Sequence, residues 1–211
     1  MQLRSKLLAL AAGLAFAASA QADIKIGVIS SATGPVSLIG IPQKNTVPLM
    51  PTEIGGEKVE YITFDDASDP SNTVTLIKKL ISEENIDALA GPSSSPNAMA
   101  ILDFVSEAKV PMLAPVGTIA IVLPMDDKRR WVFKTTQNDG LVADKLFKHM
   151  KETGKKTVGF IGTGDTFGET WYKVAQDYAK QYGVEIVANE RFKRPDTSVT
   201  GQALKVLAAK P

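Results

Sequence analysis

The chain contains no cysteine. Thiolate nucleophiles, cysteine-ligated zinc and iron–sulfur clusters are therefore excluded, as are small scaffolds held by disulfides. Histidine occurs once, at His149, so a multi-histidine metal site cannot be assembled. A serine–histidine hydrolase would depend on that single residue, which reads as lying near a helix C-terminus. Charge of one sign is also lacking: 24 basic and 23 acidic side chains leave a formal net charge of +1. A nucleic-acid binder is disfavoured, because it needs a basic excess on one face. After the N-terminus no apolar run is long enough to span a bilayer, so the mature protein is expected to be soluble. No internal repeat, low-complexity tract or long linker is present.

What is there begins with a leader. Arg4 and Lys6 precede an apolar run over residues 7–18, followed by Ala18-Ser19-Ala20 and Ala20-Gln21-Ala22. A positive start, a short apolar stretch and small-x-small sites define a secretory signal peptide, residues 1–22, with export to the periplasm. Cleavage after Ala22 is expected, because Asp23 then opens the first strand. With no cysteine after the apolar run, there is no lipid attachment site.

The rest is organised around Ala90-Gly91-Pro92-Ser93-Ser94-Ser95-Pro96-Asn97. A short apolar run, Ile86-Asp87-Ala88-Leu89, precedes this loop and reads as a buried strand; a helix to about residue 108 follows. Helix starts carry N–H groups without internal partners, and with the dipole and the serine hydroxyls they suit a carboxylate. Further strands are expected at residues 24–29, 59–64 and 110–114. Helices are expected from Pro42 to about residue 53, disturbed at Pro48, and over residues 71–84. This alternation predicts an α/β fold, a doubly wound parallel sheet with strand order 2-1-3-4. Ligands of such sheets bind beyond the carboxyl ends of the strands at the switch point. Three exit loops meet there: residues 30–40, 91–97 and 114–118, all rich in Gly, Ser, Thr and Pro.

A second unit follows the extended segment Trp131-Val132-Phe133-Lys134-Thr135-Thr136. It has helices near 141–152, 169–182 and 199–209, and strands near 157–161 and 184–192. Those strands are fewer than a self-sufficient sheet normally has. The expected division is a first lobe over residues 23–136 and an incomplete second α/β lobe over 137–211, with the chain read as a truncated fragment.

Three motifs carry candidate chemistry. Gly162-Thr163-Gly164-Asp165-Thr166-Phe167-Gly168 lies between strand and helix, but its third glycine is one residue late for a dinucleotide fingerprint. It reads as a tight loop presenting Phe167. Asp65, Asp66 and Asp69 follow strand 2 and read as a cap and a solvated loop rather than a cation site. Ser93, Ser94 and Ser95 lack the G-x-S-x-G elbow of a nucleophile. No base, nucleophile and orienting group assemble, so the protein is read as a non-enzyme without cofactor or metal.

The order and spacing of these segments resemble the branched-chain amino-acid (Leu/Ile/Val-binding) family of periplasmic solute-binding proteins of ABC transporters. The resemblance runs through Asp23-Ile24-Lys25-Ile26-Gly27, Thr33-Gly34-Pro35, Asp65-Asp66-Ala67-Ser68-Asp69-Pro70 and Gly91-Pro92-Ser93-Ser94-Ser95. It continues through Val110-Pro111-Met112, Phe133-Lys134-Thr135 and Asp165-Thr166-Phe167-Gly168. It implies a type I periplasmic-binding fold of two lobes that close by hinge motion. It also implies a small carboxylate or amino acid as ligand and an ABC permease in the inner membrane as partner. The ligand carboxylate would meet the serine loop, above all Ser95 to Asn97, and the loop Val116, Gly117 and Thr118. Leu38 and Ile39 would wall the pocket, and Phe167 would close over it. The family's branched-chain members usually carry Tyr where Phe167 stands and often a hydroxyl residue where Asn97 stands, so an aromatic or other acid is as compatible as an amino acid. Members exceed 300 residues, so ligand binding by this chain alone is expected to be weak or absent. The alternatives are a sensor domain docking on a membrane receptor, or a non-functional fragment.

Overall fold

The computed structural model describes residues 24–211; the leader reading, residues 1–22, falls outside them. Strand β1 (Ile24–Ser30) is central, with its last four residues buried. It is β-branched at alternate positions, and it pairs in parallel with β3 (Glu57–Asp65) on one side and β4 (Ala88–Ala90) on the other. Strand β5 (Met112–Ala114) follows β4, again parallel. The order β3-β1-β4-β5 is the expected 2-1-3-4, and its switch point lies between β1 and β4. Parallel strands buried on both faces need such apolar runs.

Two strands enlarge that sheet to six. Glu53–Ile54 (β2) folds back antiparallel on β3 through Gly55 and Gly56, whose φ of +64° and +89° suit a tight turn. Val132–Lys134 (β6) pairs with β5. The extended segment read as leading into the second unit thus belongs to the first sheet, because it continues the parallel ladder.

Helix α1 (Ser37–Thr46) starts five residues earlier than Pro42 suggests. The hydrogen bond Pro42 cannot donate would go to Leu38, which is 89% exposed, so the loss is tolerated. Pro48 ends the helix in a single 3₁₀ turn, Val47–Leu49. Helix α2 (Pro70–Ser82) is capped by Asp69, which accepts from the Ser71 N–H at 2.7 Å, and it buries Thr73, Ile77 and Leu80. The helix after the serine loop is two short ones, α3 (Ser95–Ala100) and α4 (Leu102–Glu107). They break at Ile101, whose ψ of 2° leaves the helix while its side chain is fully buried. Leu89, Ile101, Val105, Met112 and Ile121 join Ile77 and Leu80 in the main core.

The second sheet has two parallel strands among the described residues, β7 (Thr157–Thr163) and β8 (Glu185–Phe192). Helix α5 (Asp139–Glu152) and helix α6 (Thr166–Tyr182) form a small core with the sheet through Ala143, Phe147, Ala175, Ala179 and Val184. Helix α7 (Thr200–Ala208) sits on the sheet where Val206 meets Gly159. Helix α6 ends at Gly183 in the left-handed region. No helix among the described residues is long and apolar enough to cross a membrane.

Candidate functional site

The three exit loops converge as the topology requires, and they are tied to one another by side chains. The Ser31 N–H donates to Ser93 Oγ at 2.9 Å, and the Thr118 N–H donates to Ser95 Oγ at 3.3 Å. Two glycines permit this. A Cβ on Gly91 would lie 2.1 Å from the Ile29 carbonyl oxygen, and one on Gly40 would lie 2.0 Å from that of Ser31.

The serines are donors with assigned partners rather than an open cradle. Ser93 donates to Gln43 Oε1 at 2.5 Å, and Ser94 donates to Asn97 Oδ1 at 2.6 Å while capping α3. Thr170 donates to the Thr166 carbonyl, so the 2.9 Å contact between the hydroxyls of Thr118 and Thr170 must use the Thr118 proton. Among the candidate hydroxyls only Ser95 keeps its proton uncommitted.

Asn97 departs from its expected role at a ligand carboxylate. It is 1% exposed, and its amide donates inward to Asp66 Oδ2 at 2.7 Å and Thr73 Oγ1 at 2.9 Å. Helix α3 has only six residues and is capped by Ser94, so the dipole argument for a carboxylate at its start weakens as well. Asp66 also departs from the solvated-loop reading. It is wholly buried and accepts from Ser31 Oγ, the Ser68 N–H, Thr73 Oγ1 and Asn97 Nδ2. Asp65 is the last residue of β3 rather than part of the loop, and its carboxylate accepts from the N–H groups of Thr33 and Ala67.

The second unit reaches this cluster through the first turns of α6, by Thr170 on Thr118 and by Phe167 on Gly117. Phe167, in the first turn of α6, lies against Gly117: a Cβ there would be 2.4 Å from the ring. Val116 is buried in the main core, and its carbonyl accepts from Thr136. Leu38 and Ile39 stand exposed on α1, 89% and 48%, outside either core. The structure therefore brings together Ser93, Ser94, Ser95, Gly117, Thr118 and Phe167, and leaves Leu38 and Ile39 at the rim.

Asp165 sets the Phe167 turn. Its carboxylate accepts from Thr163 Oγ1 and from the N–H groups of Phe167 and Gly168, and it pairs with Arg194 Nε at 2.6 Å. Burial alone would raise its pKa, but the bonds from Arg194, Thr163 and Gly168 outweigh burial and hold it below the ordinary carboxylate range. A carboxylate depressed in the folded state contributes stability above its unfolded pKa of about 4, lost as pH falls through the folded value. Asp165→Ala is expected to lower stability by about 1–2 kcal/mol at neutral pH. The gap from the parent protein should narrow in thermal unfolding as the pH falls below the ordinary carboxylate range and the parent's carboxylate becomes protonated.

Asp139, at the start of α5 where the chain passes between the sheets, is 3% exposed. Burial raises its pKa against the opposing pull of Lys134, and its Oδ2 has no partner among the described residues. An apolar hollow at the switch point is lined by Val28, Ser30, Gln43, Met50, Gly91 and Pro115. No described residue of the second unit is among those that line it. No cluster of metal-ligating side chains exists among the described residues.

Residues absent from the sequence reading of the site are Gln43, Thr170 and Arg194, whose partners Ser93, Thr118 and Asp165 stand 50, 52 and 29 positions away, so no local motif marks them.

A switch-point crevice walled by hydroxyl-rich loops and covered by a helix start from a second α/β unit defines a ligand-binding fold of the two-lobed solute-receptor class. The family model described as "Periplasmic binding protein" matches residues 23–211, and the chain belongs to that family. It is similar to a Leu/Ile/Val-binding protein of Rhizobium johnstonii, 28% identical over 219 residues, covering 100% of this chain and 58% of that protein. An extracellular ligand-binding receptor from Rhodopseudomonas palustris HaA2 superposes with a TM-score of 0.87 at 44% identity, covering 90% of this chain and 53% of that one. An ABC-transporter solute-binding protein of R. palustris, solved in complex with 4-hydroxybenzoate, gives 0.78 at 25% identity, over 89% of this chain and 51% of that one. The chain thus spans about half the length of the relatives it matches. Relatives of this family are binding proteins rather than enzymes.

Proposed function

We propose that the chain is the ligand-binding part of a periplasmic solute receptor that delivers a small carboxylate or amino acid to an ABC permease in the inner membrane. The division into a lobe over residues 23–136 and a partial lobe over 137–211 goes with this reading, as does export by a leader cleaved after Ala22. The observation that carries it is the meeting of Phe167 with Gly117 beside the Thr118–Thr170 hydrogen bond. A second unit placing an aromatic ring on the exit loops of the first is the geometry of a crevice closed over a solute. The Ser95 hydroxyl supplies a polar anchor on one wall and Phe167 an apolar cover on the other. The named relatives, Leu/Ile/Val-binding proteins and a receptor holding 4-hydroxybenzoate, support both ligand classes.

Isothermal titration against a panel of amino acids and aromatic acids tests the reading. Binding in the range of about 1 mM is expected for this chain. Phe167→Ala should weaken that binding about tenfold through loss of aromatic contact. A panel without any binder would overturn the proposal.

A further inference from the structure

A hollow of about 170 Å³ lies between the first sheet and α1. Val28 pairs with Ala90 across β1 and β4, so their side chains share one face of the sheet. Ser30 stands two residues after Val28 and projects from that same face, whereas Ile29 between them belongs to the main core on the other. Val28, Ser30 and Ala90 form the floor of the hollow, and Pro115 borders it after β5. Gln43 and Met50, on α1 and just past the turn that follows it, face them. Every lining residue belongs to the first unit, and none is charged.

Two polar groups of this wall have hydrogen-bonding capacity left over. Ser30 is 1% exposed, and its Oγ has no partner among the described residues. Burial takes water from that hydroxyl and the fold puts nothing in its place, so it costs stability where an alanine methyl would not. Gln43 is half used: its Oε1 accepts from Ser93 Oγ at 2.5 Å, and its Nε2 bonds to nothing among the described residues. A hydroxyl oxygen can accept from Gln43 Nε2 and can give to or take from Ser30, whichever way the Ser30 proton turns. A charged group would lose its hydration there and meet no opposite charge. A space of about 150 Å³ takes a benzene-sized body, so the hollow fits a compact aliphatic alcohol. Gln43 also leads outward. The Ser93 Oγ that donates to it accepts the Ser31 N–H at 2.9 Å, which ties the wall of the hollow to the serine loop.

We propose that the hollow under α1 is a second binding site, for a small neutral alcohol with a compact aliphatic body, and that Gln43 transmits its occupation to the serine loop. Ser30 supplies the polar contact at the floor, and Val28, Met50, Ala90 and Pro115 enclose the body. The site is independent of the crevice that Phe167 covers, because no described residue of the second unit lines it.

The test titrates the isotopically labelled chain with cyclohexanol, cyclohexanecarboxylate and cyclohexylammonium, each to about 20 mM, followed by amide NMR shifts. Cyclohexanol is expected to bind at about 1 mM. It should move the amides of Val28, Ser30 and Ala90 and the side-chain amide of Gln43, with smaller shifts at Ser31 and Ser93. The two charged probes should leave Val28, Ser30 and Ala90 unmoved. Ser30→Ala should weaken cyclohexanol about fivefold, the worth of one neutral hydrogen bond, and should melt no lower than the parent protein. A structural role for the hydroxyl would instead lower the melting temperature, and that result, or an unfolded variant, would overturn the assignment of Ser30. The comparison of probes needs no variant. Unmoved Val28 and Ala90 in cyclohexanol, or equal shifts there from the charged probes, would overturn the site. Cyclohexanol shifts confined to Phe167 and Gly117 would also overturn it, while leaving the solute-receptor reading intact. Shifts at Val28 and Ala90 with none at Ser31 and Ser93 would overturn the transmission by Gln43.

Discussion

Asp66→Ala is expected to destabilise the first unit by about 4 kcal/mol, near the upper end of single-residue effects. The carboxylate is fully buried and has no basic partner. Its charge is balanced by four hydrogen bonds, 2.7 to 3.0 Å long, from Ser31, Ser68, Thr73 and Asn97. These groups belong to the exit loops of β1 and β3, to α2 and to α3. Bonds to a charged group contribute about 1.5–3 kcal/mol each, and a buried donor left without acceptor adds its desolvation penalty. Thr73 retains the Asp69 carbonyl and Asn97 retains Thr73, so the loss falls short of the sum. Thermal unfolding should show a drop of about 10 °C for a chain of this size. Asp66→Asn should fall between: each carboxylate oxygen receives two donors, so the amide NH₂ in either orientation faces donors rather than accepting from them. If both variants melt with the parent protein, the network is not what holds the loops together.

This network explains what the sequence could and could not show. The sheet was legible because strand and helix periodicities differ, and β1, β3, β4 and β5 fall in the expected order. Strand β2 was hidden by its length of two residues, and β6 was legible as an extended segment but not as a partner of β5. Convergence of the three loops followed from topology and their Gly and Ser content. The assignment of individual side chains did not. Ser93 meets Ser31 across 62 positions, Asn97 meets Asp66 across 31, and Arg194 meets Asp165 across 29. Hydroxyls and amides are chemically suited to a ligand and to one another alike, and only the fold decides which partner each finds. Ser93, Ser94 and Asn97 found one another or their neighbours.

Gly91→Ala should abolish the native first sheet rather than weaken it. Gly91 follows β4 with φ of +112°, a backbone conformation L-residues rarely adopt. Conformation alone would cost about 1–3 kcal/mol. The added Cβ would also stand 2.1 Å from the Ile29 carbonyl oxygen, backbone of the central strand, which cannot rotate away as a side chain can. Relief requires separating β4 from β1 at the switch point. Their ladder there is only three residue pairs long, and the Gly91 N–H bonded to Leu113 would be strained with it. Together these place the change above about 5 kcal/mol, enough to unfold a domain of ordinary stability. Gly183→Ala is the internal comparison. It has a similar positive φ, +70°, but its Cβ would meet nothing within 4 Å, so only the conformational cost of about 1 kcal/mol applies. Circular dichroism and amide spectra should show Gly183→Ala folded and Gly91→Ala not. A folded Gly91→Ala chain with the serine loop unmoved would mean that β1 and β4 can part without loss of the sheet, and that the close approach of their backbones does not set the geometry of the crevice.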